Sequence, residues 1–132
     1  MDNKRSLGRH ILVEYYNCDP EILKNPALIE KKLVQAALEA KATIVTSKFH
    51  HFSPWGVSGV VIVAESHLAI HTWPEYEFAA VDFFTCGDIE PWKSFSYLEK
   101  VLKAEFSESE EIPRGLMTKI RKHAKIDYDV KS

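Results

Sequence analysis

The chain has 132 residues, 17 basic and 19 acidic, with net charge −2 and 45% hydrophobic residues. At ~100–200 residues per domain this is a single domain, residues 1–132, of ordinary globular composition. Wholesale disorder is excluded, and no charge excess asks for nucleic acid or an anionic membrane. No apolar run reaches the ~18 residues of a membrane-spanning helix. The opening MDNKRSLGRH lacks the apolar core of a secretory signal. The two cysteines, Cys18 and Cys86, make no disulfide scaffold, so a cytoplasmic protein with reduced thiols is expected.

Residues 9–18 (RHILVEYYNC) are rich in β-branched and aromatic types and predict a first strand. CDPEILKNP is turn material. Asn25 then caps a helix that Pro26 opens and that runs to about Lys41, with Ile29, Leu33, Ala36, Ala37 and Ala40 on one face. Residues 43–52 read as a second strand and 53–56 (SPWG) as a loop. The nearly continuous apolar run 57–64 (VSGVVIVA) predicts a strand buried on both faces. A short strand, 68–73, ends at Pro74, and 78–86 (FAAVDFFTC) forms another. A second helix runs from Pro91 to about Glu105, with Trp92, Phe95, Leu98, Val101 and Leu102 facing the core. Beyond residue 106, Glu108, Glu110 and Glu111 precede Lys119, Arg121, Lys122 and Lys125. This stretch reads as a solvated tail or short surface helix, with a nucleic-acid arm as the weaker alternative. Short turns between successive strands favour an α+β two-layer sandwich, a mainly antiparallel sheet with helices packed on one face.

The chemistry concentrates in residues 50–86, which hold four of the six histidines and two of the three tryptophans. Its densest part is AESHLAIHTWPEY, where an apolar strand runs into Glu-Ser-His. Polar groups there cost free energy unless they are paired or functional. His67, His71 and Cys86 are metal-ligand types, but i, i+4 histidines share a face on a helix and not on a strand, and no further ligand completes the set. No metal is expected. Cys86 with His71 could form a nucleophile pair. A satisfied core histidine, a core serine and a buried cysteine would serve packing alone. Self-processing at Glu65–Ser66 is a fourth reading, which the letters by themselves do not suggest.

The segment 56–88, GVSGVVIVAESHLAIHTWPEYEFAAVDFFTCGD, closely resembles the prokaryotic S-adenosylmethionine decarboxylase proenzyme family, which is pyruvoyl-dependent. LGRHILVEYYNCD (7–19), QAALEAKATIVTSKFHHF (35–52) and DIEPW (88–92) extend the likeness, and Glu77 stands where relatives often carry glycine or another small residue. The resemblance implies that the protein cuts its own Glu65–Ser66 bond. Residues 1–65 would become a β chain and 66–132 an α chain, with Ser66 converted to a pyruvoyl group as the only cofactor. His71 matches the processing histidine, Ser58 the serine that assists it, Cys86 the proton donor of decarboxylation, and Phe52 an aromatic that stacks on adenine. Trp73 and Glu75 are further candidates for substrate contact. The substrate would be S-adenosylmethionine, the product the aminopropyl donor for spermidine, and the assembly a homodimer of αβ units. Rival readings are a pyruvoyl-dependent arginine or ornithine decarboxylase, and an unprocessed, non-catalytic homologue acting as a binding protein.

These residue types suit that chemistry. A serine hydroxyl can attack the carbonyl on its own N-terminal side, giving an ester, if strain or oxyanion stabilisation assists. Neutral imidazole at pH 7 can then remove the α-proton of residue 66, and elimination and hydrolysis leave a keto group. That group would form a Schiff base with the substrate amine and act as the electron sink. A thiol can supply the closing proton.

Overall fold

Six strands pair side by side, every pair antiparallel, in the order β2-β3-β4-β5-β1-β6. They are β1 (Ser6–Tyr16), β2 (Ile44–His51), β3 (Val57–Val63), β4 (Ser66–Trp73), β5 (Phe78–Thr85) and β6 (Phe106–Leu116). The α-helices among the described residues are α1 (Pro20–Leu23), α2 (Pro26–Glu39), α3 (Pro91–Val101) and α4 (Met117–His123). This computed structural model describes residues 5–52, 54–123 and 125. The α+β sandwich expected from the sequence is the observed architecture. No helix among the described residues is long and apolar enough to cross a membrane.

Helix α2 forms where its signals lie. The Asn25 side chain accepts from the Leu28 amide, and Pro26 occupies the first turn. Its stripe of Ile29, Leu33, Ala36 and Ala37 is buried against the sheet. Ile29 and Leu33 each contribute ~1.5–3 kcal/mol by leaving water. The sheet answers with Ile11, Val13, Tyr15, Val57, Val61, Val63, Leu68, Ile70, Val81 and Phe83, all within 3% of full burial. Tyr15 Oη donates to the Phe95 carbonyl at 2.8 Å and ties sheet to helix, while Ser94 Oγ donates to the Ala36 carbonyl and joins α3 to α2.

Three expectations are corrected. The run 57–64 is not buried on both faces: Val57, Val61 and Val63 meet the helices, while Ile62 on the opposite face is 42% exposed. Alternation along the strand is masked because the open face also carries Val60 and Ile62. The segment 106–116 is no tail. It is β6, hydrogen-bonded along β1 from Tyr16↔Phe106 to Ser6↔Leu116. Lys103, at φ 58°, turns the chain out of α3 so that Glu105 N–H donates to the Tyr16 carbonyl and begins this pairing. Part of the supposed turn CDPEILKNP is helix α1, with Asp19 accepting from the Glu21 amide. Boundaries also move: α3 ends at Val101, and β4 begins at Ser66 itself.

Candidate active site

β3 and β4 are joined by a two-residue hairpin loop, Ala64–Glu65, with Val63 paired to Ser66. Glu65 carries φ 62°, the left-handed region. For a non-glycine residue this costs on the order of 1 kcal/mol, held here by the ladder on either side. Strain therefore sits at the residue before Ser66. The Glu65 carbonyl accepts from the Cys86 thiol, with Sγ 2.8 Å from the oxygen. Cys86 lies just past the end of β5, exposed, and Ser66 is partly buried. Glu65, Ser66 and Cys86 are thus brought together at one end of the sheet.

Ser58 and His71 are brought together elsewhere. They face each other across β3 and β4, with Ser58 Oγ 2.8 Å from His71 Nδ1. Around them opens a cleft of about 350 Å³ lined by Phe52, Trp55, Ser58, His71, Trp73 and Glu75. The cleft therefore gathers the three expected substrate contacts with the expected processing pair. Its floor is set by Thr72, whose Oγ1 donates to the Leu23 carbonyl and accepts from the Val57 amide, both at 2.9 Å. Gly56 permits the close approach of β3 to β4, because a Cβ there would collide with the Thr72 carbonyl oxygen.

The two groups are not joined within one chain. Ser66 and His71 stand five residues apart on β4, which at ~3.3 Å per residue is ~16 Å. Five is also an odd number. Alternation puts Leu68, Ile70 and Thr72 on the helix side, and His67, Ala69, His71 and Trp73 on the open face. That odd spacing on β4 keeps Ser66 and His71 of one chain apart, and the sequence hides it because the strand it predicts begins only at residue 68. The Cys86–Glu65 contact is hidden as well, because it joins residues 21 apart through the fold.

The other cysteine differs. Cys18 is buried, and burial pushes its thiol up to about 12. Near neutral pH it is an inert, protonated group.

The family profile for S-adenosylmethionine decarboxylase matches residues 9–115, which takes in nearly all of β6. The S-adenosylmethionine decarboxylase proenzyme of Thermotoga petrophila is 59% identical over 112 residues, 84% of this chain and 86% of that one. The proenzyme of Thermosipho melanesiensis is 62% identical over 102 residues, 76% of this chain and 78% of that one. The crystal structure of the adenosylmethionine decarboxylase from Aquifex aeolicus matches with a TM-score of 0.78 at 34% identity, covering 84% of this chain and 92% of that one. The chain belongs to the S-adenosylmethionine decarboxylase family.

Proposed function

We propose that this protein is a self-processing decarboxylase of S-adenosylmethionine that supplies the aminopropyl donor for spermidine synthesis in the cytoplasm. The Glu65–Ser66 bond is cut by the protein itself, giving a β chain of residues 1–65 and an α chain of 66–132 that begins with a pyruvoyl group. The observation that carries the reading is the Glu65–Ser66 junction: a left-handed Glu65 whose carbonyl accepts from a thiol. Strain raises the ground state of that peptide bond, and the Cys86 S–H draws electrons from the carbonyl that the Ser66 hydroxyl attacks. The residues fit the group, because a serine at the start of a strand, beside a proton donor, is a competent precursor of it.

Ser58 and His71 supply the base. With the Nδ1 proton donated to Ser58 Oγ, His71 keeps a free lone pair on Nε2 to take the α-proton of residue 66, and the Ser58 O–H is left to donate to the developing oxyanion. Once formed, the pyruvoyl group supplies an electrophilic carbon for the substrate amine and a sink for the electrons that carbon dioxide leaves behind. Cys86 returns a proton. Phe52 and Trp73 offer exposed aromatic faces to the adenine and to the cationic sulfonium, and Glu75 adds a carboxylate at the rim.

The ~16 Å between the half-sites favours completion by a second copy. In the homodimer proposed here, Ser58 and His71 of one copy meet Ser66 and Cys86 of the other. The open face of the sheet supports this, since Leu12, Ile62, Trp73, Phe106 and Ile112 leave it 36–52% exposed apolar surface at those positions. Denaturing mass spectrometry tests the whole reading. The expected result is two masses that split after Glu65, the larger bearing a keto group. Ser66→Ala stays whole, and Cys86→Ala splits slowly and does not turn over. A wild-type chain that remains intact on prolonged incubation overturns the reading in favour of a non-catalytic binding protein. Carbon dioxide release from arginine or ornithine, and not from S-adenosylmethionine, would reassign the substrate.

A further inference from the structure

Three side chains on the open face have no part in the chemistry above. His67 on β4, Asp82 on β5 and His10 on β1 bring their ligating atoms within 4.8 Å of one another. Asp82 Oδ2 lies 2.7 Å from His10 Nε2 and 3.3 Å from His67 Nε2. Two histidines and a carboxylate are metal-ligand types. The other nitrogen of His10 decides against a cation, because Arg114 Nη1 on β6 stands 3.2 Å from His10 Nδ1. A guanidinium only donates, so Nδ1 holds the lone pair and Nε2 holds the proton. That proton occupies the place a metal would take, and the arginine brings positive charge to the same ring. The result is a hydrogen-bonded chain across four strands: Arg114 to His10 to Asp82, with His67 donating to the same carboxylate oxygen.

Phe84 is the platform beneath it. Its ring stacks on His67 at 6.0 Å and 12°, meets His10 edge-on at 5.7 Å, and carries the Arg114 guanidinium 5.7 Å above its centre. Gly8 makes room, since a Cβ there would stand 2.9 Å from Phe84 Cζ. So much apparatus converges on one residue, and that residue follows Ser66.

We propose that this network positions the pyruvoyl group by clamping His67; the inference rests on the self-processing reading above. While the chain is whole, residue 66 is held from both sides. After the cut, it is a chain terminus, and termini fray unless tied down. His67 is then its nearest anchor, paired to Ile62 on one side and Phe84 on the other, with its ring held by Asp82. Looseness of ~1 Å at a reacting group is enough to misdirect a proton. A proton delivered by Cys86 to the carbon of residue 66, instead of to the substrate's Cα, ends the life of the site. Residue 66 then keeps the substrate's amino nitrogen and becomes alanine. The electron pair left by carbon dioxide goes to that alanine, and the substrate carbon departs as an aldehyde that takes the keto oxygen through exchange with water. His67, Asp82, His10 and Arg114 are positioning residues in this account, since they act through residue 66.

The test uses mature enzyme carrying Asp82→Asn, which is close in shape, or His67→Ala. Both are expected to split into two chains and to keep KM within about twofold, while kcat falls. Amide exchange at residues 67 and 68 rises about tenfold. The alanine-ended α chain formed per turnover, read by mass, also rises about tenfold. The double variant is no worse than the single ones. Wild-type exchange and wild-type alanine yield in both variants overturn the proposal, as does an Asp82→Asn chain that never splits, because the clamp is argued to act after the cut. A wild-type enzyme that loses turnover with a chelator and regains it with zinc also overturns it, making the triad a cation site. A wild-type chain that does not split at all refutes the self-processing reading instead.

Discussion

Cys18 and Cys86 are the same side chain in two environments, and the environments separate their chemistry. Cys86 is exposed with its sulfur on a peptide carbonyl, whereas Cys18 is 2% exposed with its thiol pushed up to about 12 by burial. A thiol reagent at pH 8 is expected to titrate one group quickly and the second only on unfolding; two fast groups would contradict the burial. Alkali adds a second expectation. The folded chain keeps the Cys18 proton to about pH 12, and the unfolded chain loses it near the ordinary thiol value of 9.0. The stability this confers is present in full below pH 9 and falls as pH rises toward 12. Tyr15, raised by burial for the same reason, adds to that fall. Melting curves measured between pH 8 and 11 check the sign. At this scale the sequence names candidate residues but does not show how they are grouped in space. Ser58, His71, Phe52, Trp73 and Glu75 do share a cleft, and Glu65, Ser66 and Cys86 do cluster. That these are two places follows from strand parity, which resemblance along the chain does not display.

Among the elements, α2 and β6 mark the limits of legibility. α2 announces itself because its cap, its proline and its apolar stripe are local signals that agree. β6 hides because an edge strand has one covered neighbour and two wet sides, so little apolar alternation is required. Glu108, Glu110, Glu111 and Pro113 are what an edge carries to discourage pairing with other chains. Its attachment depends on the ladder to β1 and on Arg9, whose Nε lies 2.7 Å from Glu111 Oε2. The guanidinium holds the Glu111 carboxyl below its ordinary range. The contribution is therefore present above that range and lost as acid protonates the carboxylate. In acid, as the Glu111 carboxylate is protonated, 106–116 is expected to lose protection from hydrogen exchange, relative to intrinsic rates, ahead of the rest of the sheet. Glu111→Gln should bring the same loss of protection to neutral pH. Uniform exchange across β1, β5 and β6 in acid would show that the bridge does not secure this edge.

At the scale of the whole molecule, the separated half-sites make complementation the sharpest probe. A chain with His71→Ala keeps a good Ser66 and Cys86, and a chain with Ser66→Ala keeps a good Ser58 and His71. Each alone is expected to remain uncut. Produced together, random pairing makes half the dimers mixed, with one intact site of two in each, so about a quarter of wild-type turnover returns. The His71→Ala chain should be the one that splits. No cleavage in the mixture would show that each site is built from a single chain.

The sheet order carries a consequence of its own. By the side of Glu65 on which each strand falls, the order β2-β3-β4-β5-β1-β6 interleaves the two products of the proposed cut: β2, β3 and β1 belong to residues 1–65, and β4, β5 and β6 to 66–132. β1 lies between β5 and β6, woven into the other product. Two such pieces cannot part without dismantling the sheet, and once parted they must find each other again. The sheet of the uncut Ser66→Ala chain is expected to re-form at a rate independent of dilution, and that of the cut protein at a rate that falls with it. On the proposed reading the peptide bond works as an assembly jig: it is needed to weave the sheet and would be discarded afterwards, leaving a protein in a shape it could no longer readily rebuild.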